Sequence, residues 1–258
     1  INEIEDLFDI EAGISDCNIY DHICVRYESV LKIKFESMYF EAKSKKNKLH
    51  SFLKRILWKK AVNSDIKQDL FMNELESFKD KFLVSILEKN TIYKFRISDI
   101  VNIWMLSLSK TDQLFINPYN PKNPYTNIEF SKAALYSIYF KLLETGFIVP
   151  TLITSHVKYE LDIKMFTIRN YPELKEMAIL TFMREGTYYD KFEQIVNMLH
   201  DFRKDVDYHT MSSVCALETK KHAVKVFSNY LFLYLESKFS CNPLIKDESK
   251  KRVKEKLK

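Results

Sequence analysis

The stretch Asn117-Pro-Tyr-Asn-Pro-Lys-Asn-Pro-Tyr-Thr-Asn127 holds half of the six prolines in this chain of 258 residues. Each proline fixes its own φ angle, lacks an N–H group and disfavours helical geometry in the residue before it. We therefore expect a rigid, extended or turning connector that joins two helical halves. As a rigid surface feature it is a candidate contact site, with the candidate residues Pro118, Tyr119, Pro121, Pro124 and Tyr125.

The composition favours a helical protein with a large core. Hydrophobic residues make up 46% of the chain and include 19 Phe and 15 Tyr. Glycine occurs only three times, although tight sheet turns and phosphate-binding loops both depend on it. We therefore predict an all-α fold, an irregular bundle of about eight helices with no strand.

Membrane-spanning helices are not expected, because apolar runs such as Tyr230–Leu235 fall far short of the roughly 20 residues that cross a bilayer. The chain opens at Ile1, so we expect a piece of a longer protein. Its four cysteines, none of them in a CxxC pair, do not form a disulfide framework and favour a reducing compartment.

The segment after the connector has helix signals at both ends. Ser131 is placed as an N-cap, Phe130 and Leu135 as a hydrophobic staple, and Gly146 as the residue that closes the helix. The apolar residues Leu135, Ile138, Tyr139, Leu142 and Leu143 then follow helical spacing.

Six further segments show the same spacing, which is typical of helices packed on one side. They are residues 17–38, residues 71–86 behind a Ser64 cap, the segment that starts behind Ser98-Asp99, residues 170–186 with Pro172 in the first turn, residues 192–202, and residues 212–239. Such stripes belong to a core, although aromatic-rich stripes are also common at permanent interfaces.

We divide the chain into a helical half (1–114), the connector (115–130), a second helical half (131–245) and a basic tail (246–258). We expect the tail to be a flexible arm or a fraying helix.

Positive charge is concentrated in two places, residues 43–60 and the tail. The first segment has no acidic residue and eight basic ones: Lys43, Lys45, Lys46, Lys48, Lys54, Arg55, Lys59 and Lys60. Leu49, Phe52, Leu53, Ile56 and Leu57 give it an apolar face. Such a helix binds nucleic acid phosphates, lies on an acidic membrane surface or meets an acidic partner chain, unless it is simply a solvated face.

Catalytic signatures are weak. The densest polar group, His200, Asp201, Asp205, Asp207 and His209, offers ligand types for a divalent metal, but Arg203 and Lys204 beside it indicate ion pairs on an exposed helix face. Cys215 and His222 are two helical turns apart, too far for a nucleophile and its base. We therefore predict no catalytic residue, no metal site and no cofactor.

The run Asn123-Pro-Tyr-Thr-Asn-Ile-Glu-Phe-Ser131, followed by Leu135-Tyr-Ser-Ile-Tyr139 and Pro150, resembles a pattern in poorly characterised proteins of large DNA viruses that infect eukaryotes. The resemblance covers residues 115–200 and brings no catalytic residues with it. It implies a virus-encoded protein, with a virion component as one role.

These observations favour a non-catalytic structural or scaffolding protein of a virion or another assembly, which makes protein–protein contacts through aromatic and basic helix faces. The alternative is a sequence-independent nucleic-acid-binding protein that uses residues 43–60 and the tail. For localisation, a reducing intracellular compartment or a virion interior is favoured.

Overall fold

The computed structural model describes residues 29–206 and 220–257, with side chains described from residue 34 onwards. These residues form nine α-helices: α1 (Ser29–Lys60), α2 (Ile97–Leu108), α3 (Lys132–Thr145), α4 (Thr151–Lys158), α5 (Ile163–Arg169), α6 (Tyr171–Glu185), α7 (Tyr188–Asp201), α8 (Lys220–Phe239) and α9 (Pro243–Leu257). They also form five short strands: β1 (Val62–Asn63), β2 (Leu83–Glu88), β3 (Thr91–Arg96), β4 (Thr111–Asp112) and β5 (Phe115–Ile116). The fold is therefore mainly α, and the prediction that it contains no strand is wrong.

The chain forms two compact units. Within the described part of the chain, one unit comprises residues 29–64 and 87–92, and the other comprises residues 65–86, 93–206 and 220–257. In the first unit, β1 pairs in parallel with β3, so that Val62 lies opposite Thr91. The sheet has the strand order β1-β3-β2, and β4 and β5 form a separate antiparallel pair.

Both tight strand connections form without glycine. Lys89, in the two-residue turn between β2 and β3, has a φ angle of 54°, and Gln113, between β4 and β5, has a φ angle of 52°. The left-handed region costs a residue with a side chain roughly 1–2 kcal/mol, which is small beside the burial of strand residues such as Val84 and Phe95. Glycine scarcity therefore raises the cost of these turns without excluding a sheet.

The helix predicted over residues 71–86 is wrong for a local reason. The Asp69 carboxylate accepts hydrogen bonds from the backbone N–H groups of Phe71 and Asn73, at 2.9 and 2.8 Å, and so closes a turn in which Met72 has a φ angle of 64°. Two 3₁₀ turns and strand β2 follow this turn. Leu75 and Ile86 are buried as the apolar spacing predicts, but in non-helical backbone.

The larger unit contains two hydrophobic clusters. The first cluster joins residues that precede the connector, such as Trp104, to residues that follow it, such as Ile138, Ile153 and Phe166. Helix α2 packs against α3 and α4 in this cluster, and α4 packs against α5. The chain on the two sides of the connector thus shares one core.

The second cluster is built around α8, which packs against α6, α7 and α9. Helix α6 belongs to both clusters, because Leu174 lies in the first and Ile179 and Phe182 lie in the second. The basic tail contributes Val253, which is fully buried. Residues 243–257 are therefore a packed helix, and the expectation of a flexible arm is wrong.

The predicted ends of α3 are confirmed. The Ser131 hydroxyl accepts a hydrogen bond from the Ala134 N–H, and Gly146 ends the helix with a φ angle of 78°. Phe130 and Leu135, the predicted staple, are both buried in the first cluster. The helix with Pro172 in its first turn is also present, as α6.

Several sequence predictions fall partly outside the described residues. These are the helix over residues 17–38, of which the structure describes residues 29–38 within α1, and the start of the helix over 212–239, which is described from Lys220. Cys17, Cys24, Asp207, His209 and Cys215 also lie outside the described residues.

A buried imidazole lies in the first cluster. His156 has no exposed surface, and its Nδ1 atom accepts a hydrogen bond of 3.0 Å from the Trp104 indole N–H. Its Nε2 atom is buried without a hydrogen-bond partner. Burial, opposed by the backbone at Leu161, lowers the pKa of His156 from 6.5 to about 4, so the side chain is neutral at physiological pH.

Replacing the N-cap should weaken α3. We expect Ser131→Ala to lower the free energy of unfolding by about 1 kcal/mol, because the Ala134 N–H loses its acceptor. Urea unfolding followed by circular dichroism measures the change. Ser137→Ala, in the same helix and equally exposed, is the control and should change stability by less than half as much; equal losses would contradict the capping role.

His156 should make stability depend on pH. Its pKa in the folded state, about 4, lies below the ordinary value, so the unfolded chain binds the proton more readily. The stabilisation is then complete above about pH 6.5 and is lost as pH falls towards 4, by roughly 3 kcal/mol in all.

The variant His156→Gln keeps an acceptor for the Trp104 N–H but does not titrate. Its free energy of unfolding should therefore lack the pH-dependent contribution of His156. Urea unfolding of both proteins at several pH values gives the difference. The control is His222→Gln, since the His222 side chain is exposed, and it should retain the loss of stability that His156 causes at low pH. Parallel profiles for wild type and His156→Gln would contradict this assignment.

Candidate interaction surfaces

Helix α1 exposes apolar side chains along one side. Leu49, Phe52, Leu53 and Leu57 are between 46% and 58% exposed, and Ile56 between them is half-buried. Their spacing of three and four residues places all five on one face of a helix. We call Leu49, Phe52, Leu53, Ile56 and Leu57 the α1 stripe. As the sequence predicts, these residues share a face, and that face is open to solvent.

Basic residues line both edges of the α1 stripe. At about 100° per residue, Lys48, Arg55 and Lys59 lie along one edge, whereas Lys43 and Lys54 lie along the other. Lys45 forms an exposed ion pair of 2.8 Å with Glu41, which lowers the pKa of that carboxyl group. The Lys43 ammonium group contacts the Tyr39 hydroxyl at 3.3 Å.

The remaining members of the predicted basic set, Lys46 and Lys60, lie in line with the α1 stripe, where Lys46 is half-buried and Lys60 is exposed. A shallow groove beside the α1 stripe is lined by two aromatic residues, Phe40 and Phe52, and by polar and basic residues: Lys43, Ser44, Asn47, Lys48, Ser51 and Arg55. The structure thus brings the predicted basic residues together on one helix, around an apolar stripe.

The proline connector is a folded loop tied to α2. The Tyr119 N–H donates to the Ser107 carbonyl oxygen at 3.1 Å, and the Phe130 N–H donates to that of Pro121 at 3.0 Å. The buried Asn123 accepts a hydrogen bond from the Tyr125 N–H through its side-chain oxygen.

Only some of the predicted contact residues of the connector are exposed. Pro121 is buried and Pro118 is half-buried, whereas Tyr119, Pro124 and Tyr125 reach solvent. The sequence located this feature, but it did not indicate that part of the connector belongs to the core.

Tyr125 is held by stacking on strand β3. Its ring lies 5.6 Å from the Phe95 ring and 6.3 Å from the Tyr93 ring, both nearly parallel to it. Its hydroxyl donates to the Gln68 carbonyl oxygen at 3.4 Å. Burial and the carboxylates of Asp99 and Asp69 raise the pKa of Tyr125, so its hydroxyl remains protonated in neutral solution.

Two buried carboxylates, Asp69 and Asp99, support this region, and Asp99 accepts a hydrogen bond of 3.2 Å from the Leu70 N–H. The Asp69 side chain accepts hydrogen bonds from Asn73 and pairs with Arg96 at 3.4 Å. Burial would raise the pKa of Asp69, but the hydrogen bonds from Asn73, Phe71 and Arg96 together lower it. The carboxylate therefore stays ionised and holds the loop in place.

Helix α3 carries apolar residues on two faces. Leu135 and Ile138 belong to the first cluster, and Leu142 on the same face is also buried. A second row, which includes two residues just past the helix end, is largely exposed, although Tyr136 in it packs against the first cluster and Phe147 stacks on Phe82 with ring centroids 5.4 Å apart. We call this row the α3 stripe: Tyr136, Phe140, Leu143, Phe147 and Ile148.

The α3 stripe is strongly exposed and carries no charge of its own. Phe140 is 58% exposed and Ile148 is 95% exposed. Leu143, which the spacing assigned to the core face, is also exposed. Phe140 stacks on Tyr136 with ring centroids 6.4 Å apart, and Lys141 and Glu144 form an ion pair of 3.1 Å beside the row. The sequence did not predict this surface, because apolar spacing assigned one face of α3 to the core and gave no signal for exposed apolar residues on another face.

The acidic residues after α7 take part in ion pairs. Asp201 accepts hydrogen bonds from Lys238 and Tyr234, at 2.9 and 2.8 Å, and both lower its pKa. Asp205 pairs with Lys254 at 3.4 Å. Among the described residues, no group of three or more His, Cys, Asp or Glu side chains is arranged to hold a metal ion.

No family model matches the chain, and no curated protein or solved structure is significantly similar to it. In the described part of the chain, every helix is too short or too polar to cross a membrane.

The two exposed tyrosines of the connector should differ in their effect on stability. Tyr125→Ala should lower the free energy of unfolding by about 1–2 kcal/mol, because the ring loses two stacking partners. Tyr119→Ala is a matched control, since Tyr119 is 41% exposed and Tyr125 is 36% exposed. Tyr119 has a distant Lys122 ammonium group over its ring, so we expect a loss below about 0.5 kcal/mol. Chemical unfolding measures both, and equal losses would contradict the role of stacking.

Proposed function

We propose that this protein is a non-catalytic scaffolding component of an assembly and acts through protein–protein contacts. The observation that supports this proposal is the α3 stripe. A helix that is apolar on both its inner and outer faces is typical of one that is covered on both sides. Among the described residues, the inner face of α3 is buried, whereas Phe140, Leu143 and Ile148 outside it are between 49% and 95% exposed.

The chemistry of the α3 stripe favours protein as the partner. Its aromatic and aliphatic side chains carry no charge, so they offer nothing to phosphates or lipid headgroups. Fully buried interface cores are likewise rich in aromatic residues and poor in charged ones. Lone apolar side chains on a surface are ordinary, whereas a group of exposed ones such as Phe140, Leu143 and Ile148 is typical of a contact surface.

A second copy of this chain is a suitable first partner. In an antiparallel pair of α3 helices related by a two-fold axis, the same residues meet from both copies. Lys141 of one copy then lies towards Glu144 of the other, so the charges beside the row complement themselves. Assembly of copies through α3 leaves Tyr119, Pro124 and Tyr125 of the connector exposed for further chains.

A virion is the assembly that the sequence resemblance implies. A nucleic-acid-binding protein is the second candidate, and the exposed Lys250, Lys251 and Arg252 of α9 favour it. Duplex DNA binding that falls steeply with rising salt would support that candidate.

Self-association tests the proposal. Sedimentation equilibrium of the purified protein over a range of concentrations should give a mass above that of one chain. Phe140→Glu places a charge in the centre of the α3 stripe and should weaken association by about tenfold or more. Leu180→Glu is the matched control, because Leu180 on α6 is also 58% exposed, and it should associate like the wild type.

Two results would overturn the proposal. One is a wild-type protein that stays monomeric at every concentration tested. The other is an equal effect of Phe140→Glu and Leu180→Glu, which would show that added negative charge and not the α3 stripe controls association. Circular dichroism of both variants verifies that they fold.

A further inference from the structure

The α1 stripe differs in chemistry from the α3 stripe. It is apolar and half-exposed along Leu49, Phe52, Leu53 and Leu57, like the α3 stripe. Unlike the α3 stripe, it lies in a segment of eight basic residues without an acidic one. A partner that covers it must therefore offer an apolar layer and negative charge together.

The positions of the cations narrow the choice of partner. Lys48, Arg55 and Lys59 are seven and four residues apart along one edge, whereas Lys43 and Lys54 are eleven residues apart along the other. The intervals between neighbouring cations all differ, so the two edges do not define a register against an ordered row of acidic groups. The two basic edges suit a partner in which negative charge is spread without order on both sides of an apolar layer.

Two other occupants fit the α1 stripe poorly. A second copy of α1 would place eight cations against eight cations, and this repulsion opposes pairing. Nucleic acid phosphates would pair with the lysines but leave the apolar side chains in water, so they do not account for the exposure of Phe52 and Leu53.

We propose that α1 lies flat on an anionic lipid surface. The α1 stripe would sit at the boundary between headgroups and acyl chains, as in other basic amphipathic helices. Lysine and arginine side chains on both edges would reach back to the lipid phosphates and carboxylates, with their methylene groups against the apolar layer. The helix rests on the bilayer without crossing it. This inference stands apart from the proposed scaffolding role, because it depends on other residues.

Vesicle flotation tests the inference with the whole chain. Phosphatidylcholine vesicles are compared with vesicles that contain about one-third phosphatidylserine. We expect the protein to float with the anionic vesicles and to remain in solution with the neutral ones. Binding should decrease with rising salt, because exposed charges are screened.

Two sets of variants separate the apolar from the ionic contribution. Leu49→Ser with Phe52→Ser removes half-exposed side chains, so folding should persist, and vesicle binding should fall by about tenfold or more. Lys48→Glu with Arg55→Glu should reduce it by at least as much. The controls are Leu180→Ser with Leu244→Ser and Lys250→Glu with Lys251→Glu, which make the same changes at exposed positions elsewhere.

Three outcomes would overturn the inference. The first is no flotation with anionic vesicles. The second is an equal loss of binding in the control variants, which would indicate attraction by net charge alone. The third is binding to duplex DNA that exceeds binding to anionic vesicles and is unaffected by Leu49→Ser with Phe52→Ser, which would assign α1 to nucleic acid. None of these results alters the test of the α3 stripe.

Discussion

The hydrogen bond from Trp104 to His156 lies at the centre of the larger unit. Both side chains are fully buried, and they join the chain before the proline connector to the chain after it. The indole N–H needs an acceptor in an apolar core, and a neutral imidazole provides one at the cost of its second nitrogen atom, which has no partner. Phe166 packs edge-on against the same imidazole. Helices α2, α4 and α5 are thus held together by one polar contact surrounded by apolar packing.

This core determines which surfaces remain for other molecules. Once Leu135 and Ile138 of α3 pack in it, Phe140 and Leu143 lie on another side of the helix and remain exposed. Helix α6 continues the packing from the first cluster into the second. The exposed α3 stripe is therefore a consequence of how α3 is docked, not of loose packing.

The two apolar stripes need different partners because of the charges around them. Neutral surroundings favour contact with protein, since any charge left in a buried contact must be paired. A segment of eight cations with no acid favours a partner with diffuse negative charge. The proline connector adds a rigid edge, because stacking on Phe95 and Tyr93 restricts Tyr125. Shape and charge, without bond chemistry, account for the functions proposed for this chain.

Some mistaken predictions have specific causes. Residues 71–86 have apolar spacing that suits a helix, but Asp69 captures two backbone N–H groups and turns the chain. The scarcity of glycine made a sheet unlikely, yet Lys89 and Gln113 adopt the left-handed backbone conformation that the strand connections need. Apolar spacing and glycine content are both valid signals on average. Here the first was outweighed by the hydrogen bonds of Asp69, and the second by strand pairing.

The sequence by itself determined the features that depend on neighbouring residues. Ser131 and Gly146 end α3 because caps act within one helical turn, and the clustered charge of residues 43–60 is present in any fold. Only the tertiary structure decided that Val62 pairs with Thr91, that Val253 is buried and that Phe140 is not. Apolar spacing shows which side chains are suited to a core, but which of them become buried depends on contacts between residues far apart in the chain.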